Sequence, residues 1–375
     1  MKFNVSSKIF HSCASAVGKV INPKSPMTIL TNFLISVDEN DMLTISGSDI
    51  ENSISARIPV TNVEGEGSVC VDAKRLVDLL KEIPDQGIEV TLEDGKAFIN
   101  YSNGSCEFTY IDGAEYPEPK QEDDEGQPVA FQLPAERLRK GIDYTLFAAA
   151  TEDYRPIMMG VLFDVKEDRV AYAATDTRKL VKYEDRNCNP GVQVARVIPP
   201  KPCSIVRNIF SGSEDVRIVM TAKSATFEND DYSFNCRLLQ GNFPDYNRVI
   251  PKNNSLLLTV DRQSLLSSVR RVGLCVSQDF GLEKFLITPD RVEIKSQDPN
   301  LLTQAHESLP CSFSGQRLVI GFSSVLLAEI LNVLPTDDIT VALADPGRPG
   351  LFQPGKDEEG TELVMLLMPM ACGEF

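Results

Sequence analysis

The sequence predicts an α+β fold built from three similar domains, each with two helices packed on antiparallel sheets. Three observations carry that reading. Short runs alternate strictly between apolar and polar residues, as half-buried strands do. Six windows place apolar residues at helical spacing. Landmarks also return at fixed offsets along the 375-residue chain. Strand runs interleaved with two helices per repeat imply antiparallel sheets with helices on one face.

In the first third, Phe3-Asn-Val-Ser reads as an opening strand. Ile9, Phe10, Cys13, Ala16, Val17 and Val20 then predict a helix within 7–24. Phe33, Ile35 and Val37 alternate, as do Ile54, Ala56, Ile58 and Val60. Leu76, Leu79, Leu80 and Ile83 predict a second helix over 72–83, with Lys74, Asp78 and Lys81 on its other face. Asp94-Gly95 and Asn103-Gly104 mark hairpins. The matching helix windows are 134–149 and 201–210, then 261–275 and 323–334.

The repeat keeps one register. Asp49 to Asp176, Lys74 to Lys201 and Pro117 to Pro244 are each 127 residues apart, and Asp176 to Asp298 and Ile198 to Ile320 are each 122 apart. Short apolar runs that matched by chance would not hold one register across a domain. The period is too long for a solenoid, so whole domains are repeated. Linker-like stretches at 117–128 and 249–255 place the expected domains at 1–125, 126–250 and 251–375.

Composition narrows the function. No run of 18 apolar residues exists, and the opening MKFNVSSKIF lacks an apolar signal core, so a cytoplasmic protein is expected. Nine cysteines without a CxxC pair read as reduced thiols, and two histidines give no basis for a metal site. No nucleophile elbow, phosphate loop or dinucleotide fingerprint occurs, so neither an enzyme nor a cofactor is expected. The recurring Asp49, Asp176 and Asp298 fit structural turns better than catalytic acids, because every repeat has one. The acidic runs 122–125 and 357–359 read as solvated segments rather than metal sites.

The net charge of −17 argues at face value against nucleic acid. Its placement argues otherwise. The six helix windows hold 14 basic and 7 acidic residues, which leaves +7 on the helices and −24 elsewhere. Helices sharing one face would present a positive surface to a phosphate backbone. Lysine and arginine are also good helix formers, and a merely solvated face would show the same count. No base-reading motif occurs, so any DNA contact should lack sequence preference.

The chain resembles the bacterial sliding clamps, the beta subunits of DNA polymerase III, along its whole length. The likeness rests on Met1-Lys-Phe3, Met27-Thr-Ile-Leu30 and Ala174-Thr-Asp-Thr-Arg-Lys-Leu180. It continues in Gly241-Asn-Phe-Pro-Asp-Tyr246, Arg248-Val-Ile-Pro251 and Met368-Pro-Met370. The resemblance implies a DNA-clamp fold and a homodimeric six-domain ring around duplex DNA. Such a ring tethers the replicative polymerase and is placed by a clamp loader. The DNA-facing residues expected are Lys24, Lys74, Arg137, Lys140, Arg155, Lys201, Arg207, Arg270 and Arg271. The implied partner-peptide pocket comprises Met158, Thr175, Thr177, Arg178, Leu180, Pro244, Arg248, Val249, Leu366, Met368, Pro369 and Met370. Phe108, Val272 and Leu274 are the expected dimer contacts, with Val272 and Leu274 equally readable as core.

The sequence departs from the family pattern twice. Thr177-Arg178 stands where Gly and His are usual, and Ala371–Phe375 extends past the usual end. Two other readings compete with the clamp: a scaffold of repeated domains that does not touch DNA, and an enzyme with an unorthodox carboxylate site.

Overall fold

Seven helices lie among the described residues: α1 (Ser7–Val17), α2 (Ala73–Glu82), α3 (Ala135–Thr145), α4 (Pro200–Ile209), α5 (Tyr246–Val249), α6 (Arg262–Gly273) and α7 (Ser324–Val333). The computed structural model describes every residue except 118–126, 153–154, 213, 277–280, 299 and 301. The acidic run 122–125 and Pro299 of the third turn fall outside the described residues.

All six helix windows contain a helix, and each of these begins where a strand ends. Capping chemistry sets several of the starts. Ser6 Oγ accepts from the Ile9 amide, Asp72 Oδ1 from Arg75 at 2.8 Å and Asp261 Oδ1 from Ser264 at 2.7 Å. The bonds from Ser264 hold the Asp261 carboxyl below its usual pKa.

Two windows were too long. α1 stops at Val17, where the Gly18 amide donates back to Ala14 O at 2.8 Å, so Lys19 and Lys24 lie beyond it. α3 gives way at Leu146–Ala148 to a 3₁₀ turn. The single turn α5 was missed, because four residues show no period. With these bounds the six long helices hold 12 basic and 5 acidic residues, and their balance of +7 is unchanged.

The described residues fall into two compact units, Met1–Arg139 with Lys201–Leu238, and Lys140–Pro200 with Leu239–Phe375. The first unit holds an antiparallel five-stranded sheet and a nine-stranded one. In the nine-stranded sheet, Asn52–Pro59 from the first third pairs with Tyr232–Arg237 from the middle third, Ile54 opposite Phe234. The expected alternation holds there: Phe33, Ile35, Val37, Ile54, Ala56, Ile58 and Val60 are all buried. α1 lies beside α2 and over the strands Met42–Ser48 and Asn52–Pro59. The Asp94-Gly95 hairpin has both residues at positive φ, +49° and +76°, as a type I′ turn requires.

The second unit repeats the plan. Its nine-stranded sheet runs from Val194–Ile198 to Ser312–Phe313, and a four-stranded sheet is built on Leu282–Thr288. The middle third joins the last third where Lys179–Asp185 pairs with Thr361–Leu367, in register from Lys179↔Leu367 to Asp185↔Thr361. Leu363 to Leu367 are five consecutive buried residues, the mark of a strand covered on both faces. Gly141 of α3 sits so close to Tyr172 that a Cβ there would lie 2.3 Å from its ring. No helix among the described residues is long and apolar enough to cross a membrane. All nine cysteines are free thiols.

One polar group conflicts with its surroundings. Glu283, on the strand Leu282–Thr288, is 0% exposed, and neither carboxylate oxygen has a hydrogen-bond partner among the described residues. Burial, with the nearby Glu307 charge adding to it, pushes its pKa up to about 8. A carboxyl raised in the folded state binds a proton that the unfolded chain has already lost. Its cost therefore grows as pH rises from the unfolded value of 4.5 to about 8 and is constant above that. Glu283→Gln should stabilise the protein against urea by on the order of a few kcal/mol at pH 8.5, with a much smaller gain at pH 5. A gain independent of pH, or a loss at pH 8.5, would contradict this account.

Candidate peptide pocket and basic helices

The pocket starts from a tight turn in the second unit. Asp176 Oδ1 accepts from the Arg178 and Lys179 amides at 2.9 and 2.8 Å. Thr175 Oγ1 donates to Lys179 O at 2.7 Å and accepts from the Thr177 amide at 3.1 Å. The turn at Asp49 is built the same way. Asp49 Oδ1 accepts from Asn52 N at 2.8 Å, and Ser48 Oγ donates to Asn52 O at 3.0 Å. Asp298 Oδ1 accepts from Asn300 N at 2.8 Å. The recurring aspartates thus satisfy turn amides that no strand partner reaches.

The turn presents a wall. Leu180 faces Leu366 directly across the paired strands, and Met368 N donates to Arg178 O at 2.8 Å. Thr175, Leu180 and Leu366 are buried, whereas Thr177, Arg178 and Met368 are exposed. The segment that closes the middle third folds over the same face. Phe243, Tyr246 and Ile250 pack against the cluster that contains Leu162, Leu180 and Leu366. Tyr246 anchors the segment by donating to Asp164 Oδ2 at 2.9 Å, and burial, then the Asp164 charge, raises its pKa, so it remains a donor. Pro244 and Ile250 are half-buried, and Val249 and Arg248 stay exposed, with Arg248 Nε 3.0 Å from Asp245. Pro369 and Met370 continue the wall half-buried, and Met370 N donates to Gly321 O at 2.8 Å.

A cleft of about 540 Å³ adjoins the turn, lined by Met158, Asp176, Thr177 and Arg178 together with Ala150, Thr151, Glu152, Arg155 and Leu326. Arg155, grouped from the sequence with the DNA-facing cations, lies here beside Met158. Leu326 of α7 was missed, because that helix showed nothing but an apolar stripe. Ala150, Met158 and Leu326 give the cleft an apolar patch, and the other lining residues are polar or charged, so it offers an extended peptide both apolar contact and hydrogen bonds. Lys179, on the buried side of the turn, is 2.8 Å from Asp176 and 2.9 Å from Glu329 of α7.

The basic residues occupy varied settings. Lys24 and Lys74 are exposed, and Arg137 and Arg207 are half-buried. Lys201 Nζ donates to Asp49 at 2.6 Å and to Val20 O at 2.8 Å. Lys140 pairs with Glu358. Arg271 grips both Glu307 oxygens, at 2.6 and 2.7 Å, and holds that carboxyl below its usual pKa. Arg270 donates to Asn332 Oδ1 at 2.8 Å. The exposed Lys140–Glu358 pair is of the kind worth about 0–1 kcal/mol, so a phosphate can displace that carboxylate, whereas bidentate Arg271–Glu307 is held more firmly. Among the expected dimer contacts, Phe108 is half-buried and Leu274 is 83% exposed, while Val272 is enclosed in its own unit.

Thr177 has φ +76°, a left-handed conformation that costs a β-branched residue about 1–2 kcal/mol. Thr177→Gly should raise stability in urea unfolding by about 0.5–1 kcal/mol after the entropy of the added glycine is deducted. An unchanged or lowered midpoint would show that the turn is unstrained.

Comparison with known proteins places the geometry. Residues 1–119 match the N-terminal domain of the DNA polymerase III beta subunit, 132–245 the central domain and 247–370 the C-terminal domain. The Beta sliding clamp of Staphylococcus aureus is 27% identical, over 97% of this chain and 98% of its own. The solved sliding clamp of Bacillus subtilis superimposes with a TM-score of 0.89 at 26% identity, covering 100% of both chains. The clamp of Bartonella birtlesii bound to griselimycin gives 0.91 at 26%, over 99% of this chain and 100% of that one. With all three domain types present in order and the strand pairings intact, the chain belongs to the bacterial sliding clamps, the beta subunits of DNA polymerase III.

Proposed function

We infer that this protein is the processivity factor of a replicative DNA polymerase and not an enzyme. The observation that carries the reading is the ordered match of all three clamp domains along nearly the full chain. Two copies close head-to-tail into a ring around duplex DNA, each contributing domains 1–125, 126–250 and 251–375. Exposed Leu274 and half-buried Phe108 are the apolar contacts available for closure. Val272 is enclosed in its own unit and offers no surface for closure. The protein works in the cytoplasm, where replication takes place.

The mechanism is topological. Lys24, Lys74, Arg137, Lys140, Lys201, Arg207, Arg270 and Arg271 line the DNA path and meet phosphates without reading bases. Several of these cations are already bound to carboxylates, which keeps each phosphate contact weak and exchangeable. Weak contacts permit sliding, whereas the closed ring prevents escape. Tethering then raises the local polymerase concentration at the template.

The polymerase, the clamp loader and other partners dock a short peptide at the wall formed by Leu180, Leu366, Met368 and Pro369. Met158, Thr175, Thr177, Pro244, Val249 and Met370 complete it, and Arg178 and Arg248 supply charge at its rim. The flexible thioethers of Met158, Met368 and Met370 adapt to different apolar side chains.

Loading onto nicked circular plasmid by a clamp loader should give a complex that survives gel filtration. Linearising the plasmid should then release most of the protein. Equal loss from circular and linear DNA would contradict a topological link and favour a scaffold that does not encircle DNA.

A further inference from the structure

The extension Ala371–Phe375 is seated on the protein surface. Strand register sets Gly321, Lys284, Lys295 and His306 side by side across the four-stranded sheet. Their sequence neighbours Phe285, Ile294 and Ile320 are buried, so this row lies on the outer face. The tail crosses the row in order. Met370 N donates to Gly321 O at 2.8 Å, and Lys284 Nζ donates to Glu374 O at 3.0 Å. The Phe375 ring lies 5.9 Å from Lys295 Nζ and 6.5 Å from the His306 ring. Gly321 makes the crossing possible, because a Cβ there would lie 2.7 Å from Met370 O and 3.1 Å from Cys372 Cβ.

We propose that Ala371–Phe375 is a strap that holds the Met368–Pro369–Met370 wall in its peptide-binding position, an inference that rests on the pocket reading above. The wall spans two anchors, Met368 N on Arg178 O and Met370 N on Gly321 O. A short segment held by two main-chain hydrogen bonds alone opens readily. The strap adds a lysine–carbonyl bond, a cation over an aromatic face and a ring contact beyond those bonds. The wall is then ordered before a partner arrives, and binding does not bear that entropy cost. Phe375, Lys295 and Lys284 are positioning residues here.

The test uses the full-length protein and a fluorescent peptide from the clamp-binding segment of a replicative polymerase. Removing residues 371–375, or Phe375→Ala alone, should weaken binding by about three- to tenfold. Lys295→Ala added to Phe375→Ala should weaken it no further, because the two act on each other. Met370→Ala with Pro369→Ala tests the pocket itself and should weaken binding more strongly. If that variant weakens binding while both strap variants leave it unchanged, the strap is overturned and the pocket stands. If it leaves binding unchanged, the pocket reading fails. Amide exchange at Met370 reads the strap without any peptide: it should accelerate in Phe375→Ala, and unchanged exchange overturns the proposal.

Discussion

The antiparallel pairing of Lys179–Asp185 with Thr361–Leu367 is the constraint on which the second unit depends. It joins strands from different thirds of the chain into one sheet. It fixes Leu180 opposite Leu366, and it delivers Met368 to the Arg178 carbonyl. A slip of one residue would turn every side chain to the opposite face and dismantle both core and pocket. The pairing also sets Glu184 opposite Glu362, a like-charge contact that alone is unfavourable. Lys182 offsets it, 2.8 Å from Glu362 and 3.0 Å from Glu184, while Arg186 reaches Glu184 at 2.7 Å. Burial opposes the charge on Glu184, yet these cations outweigh it and keep its pKa below the usual value.

The first unit uses the same device. Asn52–Pro59 pairs with Tyr232–Arg237, so strands from the first and middle thirds share one sheet. The acidic turn beside each junction is tied to the second helix of the following third. Asp49 receives Lys201 of α4, and Asp176 holds Lys179, which reaches Glu329 of α7. The tandem repeat in sequence therefore becomes a repeated junction in space. Compact units consequently cut through the middle third, whose strands are divided between two sheets.

Much of this organisation was legible in the sequence. Period-two runs such as Phe33, Ile35 and Val37 bury as expected, and five of the six helices lie within their windows while α4 begins one residue early at Pro200, because periodicity directly reports which face is apolar. Helix ends were less legible. Val20 keeps the apolar rhythm after α1 has stopped at Val17, since a buried residue in a turn continues the pattern without the hydrogen bonds. α5 is too short for any period. The pocket was legible through the family likeness alone: its residues come from separate strands, a turn and the chain end, and no local spacing unites them. The place of Arg155 in the cleft and the isolation of Glu283 depend on tertiary surroundings that a charge count does not hold.

A protein with net charge −17 is an unpromising DNA partner until the charge is resolved by element. The helices remain at +7 with their observed ends, and the remainder stays at −24. That separation by element is what the proposed encirclement needs, since positive helices attract a phosphate backbone that the remainder repels. The central claim is that two copies close around DNA. Solution mass combined with single-particle electron microscope images tests it most directly: the account predicts a particle of two chains with a closed outline and a central opening, and a monomeric mass or a particle without a hole would contradict it.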